Sequence, residues 1–249
     1  MRKILVFVIL TVFVCGCVSN GSNTGETNSS EGTWTLYIIS GNSVKELSLE
    51  DPKKLGLTDM PVPDLALGRT VHWEGIPPQK LGKGDVINFI SENGEIVSVP
   101  SNVSMVLALY RDGEPVNGTV RLITSLSFGC KCHWIDRIKV VEFLNESSAL
   151  HIYGMVENEL YLSPRTLGIF EGIDYIVKHE KSKAGLKDII NLADPWPEAK
   201  EVTFVTSRGE KTFRLSDVIE KNPTIEFENG FCVPELNICG IKGIRIGGD

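Results

Sequence analysis

The chain has 249 residues, 42% of them hydrophobic and 23% charged, with a formal net charge of −7. This is the composition of an ordinary globular protein, long enough for one large or two small domains. The acidic balance and the lack of a basic stripe exclude a nucleic-acid partner, because phosphate binding needs a positive surface. An acidic body also gains no attraction to an anionic bilayer, so a lipid would have to supply any membrane attachment.

The chain opens on Arg2-Lys3 and an apolar run over residues 4–14, too short for a membrane span. The run ends in Val14-Cys15-Gly16-Cys17. A basic start, a short apolar stretch and a small residue before a cysteine are the parts of a secretory signal. The ending resembles a lipobox, with cleavage before Cys17 and a lipid on its sulfur. Residues 18–32 are rich in Ser, Asn, Thr and Gly, a composition that cannot bury enough apolar surface to order itself. The expectation is a signal peptide over residues 1–16 and a flexible tether over 17–32. The protein would then be exported and anchored to the outer face of the cytoplasmic membrane through Cys17.

Residues 33–145 read as strands. Thr35-Leu36-Tyr37-Ile38 and Leu47-Ser48-Leu49 alternate, and residues 85–95 form a strand ending in a Gly-containing turn. Asp112-Gly113-Glu114-Pro115 is a turn between apolar runs, residues 120–123 a strand holding Arg121, and residues 134–143 a further strand.

Residues 146–249 read as a diverged second copy. Leu150-His151-Ile152-Tyr153 and Leu160-Tyr161-Leu162-Ser163 match the first strand pair, and residues 201–210 match 85–95. Residues 132–140 and 239–246 correspond loosely. Ser163-Pro164-Arg165 is a helix start, with Ser as N-cap and Pro at the first helical position. Residues 183–192 read as a helix with Leu186, Ile189 and Ile190 on one face. Residues 215–220 read as another, capped by Ser216. Strands dominate in mixed order, so the expected class is α+β with mixed sheets, short helices and two tandem repeats.

The first repeat resembles the sulfite-oxidase-type molybdopterin-binding domain. The residues that carry the resemblance are Trp73-Glu74-Gly75-Ile76-Pro77, Leu107-Ala108, Asp112-Gly113-Glu114-Pro115, Thr119-Val120-Arg121-Leu122, Gly129-Cys130-Lys131, His133-Trp134 and Arg137-Ile138-Lys139-Val140. The resemblance implies that fold for residues 33–145, with Arg121, Lys131 and His133 as the cofactor-binding positions. Arg69 is the other basic residue that it places near the pocket. Active family members carry a molybdenum-binding cysteine just upstream of the Trp73 step. Residues 60–72 contain none, and molybdenum wants a soft thiolate there. The expectation is an inherited fold that has lost its oxidoreductase chemistry and its resident cofactor.

After cleavage Cys130, Cys132, Cys232 and Cys239 remain besides Cys17. An even number in an exported chain reads first as disulfides. One option bridges the Cys130/Cys132 segment to the C-terminal pair, another closes Cys232 on Cys239 locally, and a ring between Cys130 and Cys132 is strained. The sharper alternative is a metal. Cys130, Cys132 and His133 with Cys232 or Cys239 would suit zinc, or copper.

His72, His151 and His179 read as surface or half-buried side chains without a chemical role. No G-x-S-x-G, H-E-x-x-H or phosphate-cradling loop is present. The first expectation is a lipid-anchored, non-catalytic module for a small ligand or a surface protein. A molybdopterin oxidoreductase with atypical ligation and a metal- or thiol-handling surface protein are the alternatives.

Overall fold

The computed structural model describes residues 34–49, 54, 56–116, 119–128 and 134–248. The expected signal peptide, tether and lipid site at Cys17 lie outside the described residues. Thr33–Asp249 forms one compact unit, built of strand-rich mixed sheets with a few short helices.

The first half holds β1 (Thr35–Ser40), β2 (Ser43–Ser48), β3 (Thr58–Asp64), β4 (Arg69–Ile76) and β5 (Val86–Ser91). It continues with β6 (Ile96–Pro100), β7 (Met105–Arg111), β8 (Glu114–Pro115), β9 (Arg121–Thr124) and β10 (Ile138–Leu144). One sheet runs β2-β1-β10-β5-β6, with β1 parallel to β10. A second sheet runs β3-β4-β7-β8, with β9 also on β7. Pro61 and Pro63 lie in β3, an edge strand that pairs only with β4. An edge is where strand prolines are tolerated, since they cannot donate to a ladder. Asp112 and Gly113 both have positive φ, and this two-residue turn joins Arg111 to Glu114 in register, the tight hairpin form that matches strand twist.

The second half holds β11 (Leu150–Gly154), β12 (Leu160–Leu162), α1 (Ile173–Lys178), β13 (Lys183–Gly185) and α2 (Leu186–Leu192). It ends with β14 (Glu201–Thr206), β15 (Gly209–Arg214), α3 (Leu215–Lys221), β16 (Thr224–Phe227), β17 (Phe231–Val233) and β18 (Ile238–Gly247). Here β12 pairs with β11, β11 lies parallel to β18, and β18 pairs antiparallel with β14, which pairs with β15. The first sheet has the same sequence of parallel and antiparallel neighbours. Strands β17, β16 and β13 extend this second-half sheet from the N-terminal part of β18.

The halves share a core. Ile39, Ile90, Ile96 and Val140 from the first sheet pack with Leu150, Phe204, Ile225 and Ile244 from the second half. A separate core inside the first half is built on Leu36, Phe89, Leu107 and Leu122. Phe89 and Phe204 are fully buried, and each such ring contributes about 1.5–3 kcal/mol from burial. Gly154 has φ +107°, and a Cβ there would lie 2.1 Å from Ile246 O. Only glycine lets β11 approach β18 that closely.

The structure corrects four local expectations. Residues 183–185 form β13 and the helix starts only at Leu186, because Lys183 and Ala184 are drawn into antiparallel pairing with Glu226 and Ile225. The strand expected from Trp134 begins at Ile138, since Arg137 has φ +58°, which no strand accommodates. Ser216 does not cap α3. Arg214 holds the N-cap position, and Ser216 Oγ instead contacts Asp217. Ser163 is not an N-cap and Pro164 is not the first helical residue: the 3-10 helix Thr166–Glu171 has Arg165 at its N-cap position, and Ser163 Oγ accepts the N–H groups of Arg165 and Thr166 from the turn just ahead of it.

Cys232 and Cys239 are register partners on β17 and β18, and a disulfide joins them across a Cα–Cα distance of 4.1 Å. This is the local option. Cys130 and Cys132 lie outside the described residues.

Candidate functional site

On one face of the β3-β4-β7 sheet, Val62, Val71, Val106, Ala108 and Ile123 form a small core around Trp73. Trp73 is 4% exposed. Strand pairing sets what surrounds it. Arg111 on β7 is the register partner of Trp73, and Arg121 on β9 is the partner of Ala108. The Arg111 guanidinium lies 5.3 Å from the Trp73 ring centroid and that of Arg121 lies 5.6 Å away. Trp134 meets Trp73 edge-on at 5.8 Å, and its Nε1 donates to Thr124 O at 3.2 Å. A guanidinium over a tryptophan contributes about 0.5–2 kcal/mol, so the Trp73 ring holds two like charges on one small surface.

The two arginines differ in their neighbours. Arg121 Nε sits 3.1 Å from Asp136 Oδ1, an ion-pair distance that falls short of hydrogen-bond alignment. Arg111 is exposed and makes no ion pair among the described residues. The pair is therefore a shelf of positive charge backed by aromatic carbon, with Arg111 its more exposed member. Arg69 does not join it. Its guanidinium donates to Asp112 at 2.8 Å, and the partnership raises the Arg69 pKa and lowers that of Asp112. His72 pairs with Asp59 at 2.9 Å on the surface.

Of the expected cofactor positions, Arg121 lies on this shelf. Lys131 and His133 lie outside the described residues, in the segment between Phe128 and Trp134. The donor set of the β3–β4 hairpin does not fit a molybdenum centre. Its residues 60–73 hold no cysteine, and the sulfur there is the thioether of Met60, whose register partner is Trp73. The described cysteines are Cys232 and Cys239, both oxidised. No group of three metal-binding side chains occurs among the described residues.

A second polar cluster lies at the seam between the halves. Glu142 on β10 is 2% exposed and accepts hydrogen bonds from Ser163 Oγ at 2.6 Å and Asn88 Nδ2 at 3.2 Å. Asn88 Nδ2 also donates to Tyr161 O at 2.7 Å, and Ser98 Oγ donates to Asn88 Oδ1 at 2.7 Å. The Tyr161 N–H donates to Ser98 Oγ at 2.9 Å. Burial pushes the Glu142 carboxyl above its ordinary range, against the lowering effect of Ser163, Asn88 and the Arg165 charge. Arg165 is 3% exposed and donates to Ile176 O and Val177 O at the end of α1. A cavity of about 290 Å³ opens here beside Glu142, Ser163, Arg165, Glu180 and Lys181. Two acids face two bases in it, and its buried groups are engaged with one another, so the seam serves architecture more than capture of a ligand.

Sequence reasoning missed Arg111, Glu142 and Arg165. A signal existed for Glu142, a lone charge inside the apolar strand Val140-Val141-Glu142-Phe143-Leu144. Arg111 gave none, because its place beside Trp73 depends on the pairing of β4 with β7.

No family model matches the chain, and no curated protein matches it in sequence. Among solved structures, the sulfane dehydrogenase SoxCD from Paracoccus pantotrophus is similar at 10% identity and a TM-score of 0.38. The likeness covers 88% of this chain and 64% of that one, so the chain spans less than two thirds of that protein. It is distant and concerns the fold alone.

Proposed function

We propose that this chain is an exported, lipid-tethered binding module that takes an anionic ligand or partner on the shelf formed by Arg111, Trp73 and Arg121. The observation that carries this reading is the convergence of two guanidinium groups on one tryptophan, one of them exposed and without an ion pair among the described residues. Fixed cations at the rim of an apolar surface attract anions and orient planar ones by two-pronged hydrogen bonding. The matching neighbour order of the two sheets supports descent of the halves from a duplicated sulfite-oxidase-like unit. The hairpin without a cysteine supports loss of molybdenum chemistry.

The direct test titrates the full chain in detergent with inorganic phosphate at fixed ionic strength and follows tryptophan fluorescence. A saturable change that is lost in both Arg111→Ala and Arg121→Ala supports the shelf. An unchanged spectrum, or a change that survives both substitutions, overturns it. The molybdopterin reading is tested separately on chain made in a cofactor-competent host. Molybdenum or tungsten at about one per chain together with a pterin would make it the better reading, since an altered ligand set is then in use.

The disulfide favours one further reading. With Cys232 closed on Cys239, Cys130, Cys132 and His133 stay together as a separate C-x-C-H group, a donor set suited to zinc or copper. Zinc or copper analysis of protein isolated from its native surface, with a count of free thiols, decides whether this group handles metal or thiols.

A further inference from the structure

Hairpin β3–β4 ends in a tip of four residues without a polar side chain, Leu65-Ala66-Leu67-Gly68. The register partners Asp64 and Arg69 close its neck. Leu65 is 93% exposed and Leu67 is 52% exposed. A single exposed leucine is normal, but two on one short turn with nothing polar between them make a concentrated apolar point. The point has a fixed shape. Asp64 Oδ1 accepts the N–H groups of Ala66 and Leu67 at 3.0 and 3.1 Å, so two tip amides are satisfied internally, as a low-dielectric phase demands. The charges stand just behind the leucines, with Arg69 held on Asp112.

We infer that this tip inserts its two leucines into the boundary of the bilayer to which the chain is tethered. The inference rests on the tether reading. A narrow convex tip suits an interface that yields around it, with apolar side chains leading and charges following at headgroup depth. The lengths also agree. Trp34, where the described chain begins, packs against the same core as Leu57 at the base of β3. Seven-residue β3 carries the tip about 23 Å from that base. The stretch over residues 18–33 can span at most about 53–58 Å when fully extended, more than the length of that strand. A lipid on Cys17 and the leucines of the tip can therefore occupy one bilayer face together.

The test uses the full, lipid-modified chain in vesicles of phosphatidylethanolamine and phosphatidylglycerol. Photoreactive p-benzoylphenylalanine replaces Leu65 or, as a control in another exposed turn, Arg208. Lipid adducts on the peptide bearing position 65, absent at position 208 and lost when Leu67→Asp is added, are the expected result. An absence of lipid adducts at 65, or protein adducts in their place, overturns the inference, and protein adducts would point to a docking partner. The N-terminal peptide of the same sample reports whether Cys17 carries a lipid. Adducts at 65 without a lipid on Cys17 keep the tip and remove the tether. A lipid on Cys17 without adducts keeps the tether and removes the tip, and absence of both removes both.

Discussion

The Ser163 hydroxyl donates to the Glu142 carboxyl at 2.6 Å across the seam, tying the start of a 3-10 helix in one half to an interior strand of the other. Both residues are buried, and burial raises the Glu142 pKa. An acid whose folded pKa lies above its unfolded value binds its proton more tightly when folded. Its contribution is complete below the ordinary glutamate value of 4.5 and declines as pH rises from there through the raised folded value. Wild-type stability should therefore fall against that of Glu142→Gln over this window. Urea midpoints of both proteins across the pH series check it, and parallel curves would contradict it. The amide itself should cost about 0.5–1.5 kcal/mol at low pH, since its N–H₂ cannot accept from Asn88.

Arg165 holds the last turn of α1 through Ile176 O and Val177 O. Arg165→Met keeps the bulk and removes both charge-assisted bonds, leaving the buried Ile176 carbonyl and the half-buried Val177 carbonyl short of a donor. The expected loss is roughly 3 kcal/mol, read as a lower urea midpoint. Hydrogen exchange should quicken in residues 173–178 more than in β14.

These two predictions also show what the sequence could reveal. Alternation and turn chemistry disclosed some of the hairpins, because hairpins are local: the turn at Asp112-Gly113 and the strand with its Gly-containing turn at residues 201–210 need no distant partner to be read, while the β3–β4 hairpin went unread. Pro61 and Pro63 take their meaning from the edge position of β3, and that waits on knowing the neighbours. The seam lay beyond reach for a different reason. Asn88, Ser98, Glu142, Tyr161 and Ser163 meet through contacts spanning 10 to 73 residues, and nothing in the run of any one segment announces the others. The shelf was half legible. Resemblance pointed to Arg121, while Arg111 is placed by strand register alone.

Gly154→Ala should be severe. The backbone has φ +107° and the new methyl would meet Ile246 O at 2.1 Å, so β11 and β18 must separate. A loss of at least about 3 kcal/mol is expected. Gly209→Ala has φ +124° and nothing within 4 Å, so it should cost only the backbone strain, about 1–3 kcal/mol. Thermal unfolding of the two variants side by side checks the difference, and equal losses would show that the close approach is not what matters at Gly154.

Cys17→Ser removes the proposed lipid site without touching any described residue. The chain should leave the membrane fraction or stay unprocessed, seen as a changed mature mass. Unchanged membrane association together with an unchanged mass would refute the anchor.

The place where the chain enters the body has a mechanical consequence. Strand β1 is not at an edge. It lies between β2 and β10, in register with six residues of one and four of the other, and Trp34 just ahead of it is fastened through Nε1 to Ile138 O at 2.8 Å. A tug on the chain ahead of Trp34 runs along β1 and strains both ladders at once, so the strand has to slide past its neighbours instead of peeling away one bond at a time. A protein moored by that end would resist drag at its point of attachment, and its first part to yield under load would lie elsewhere.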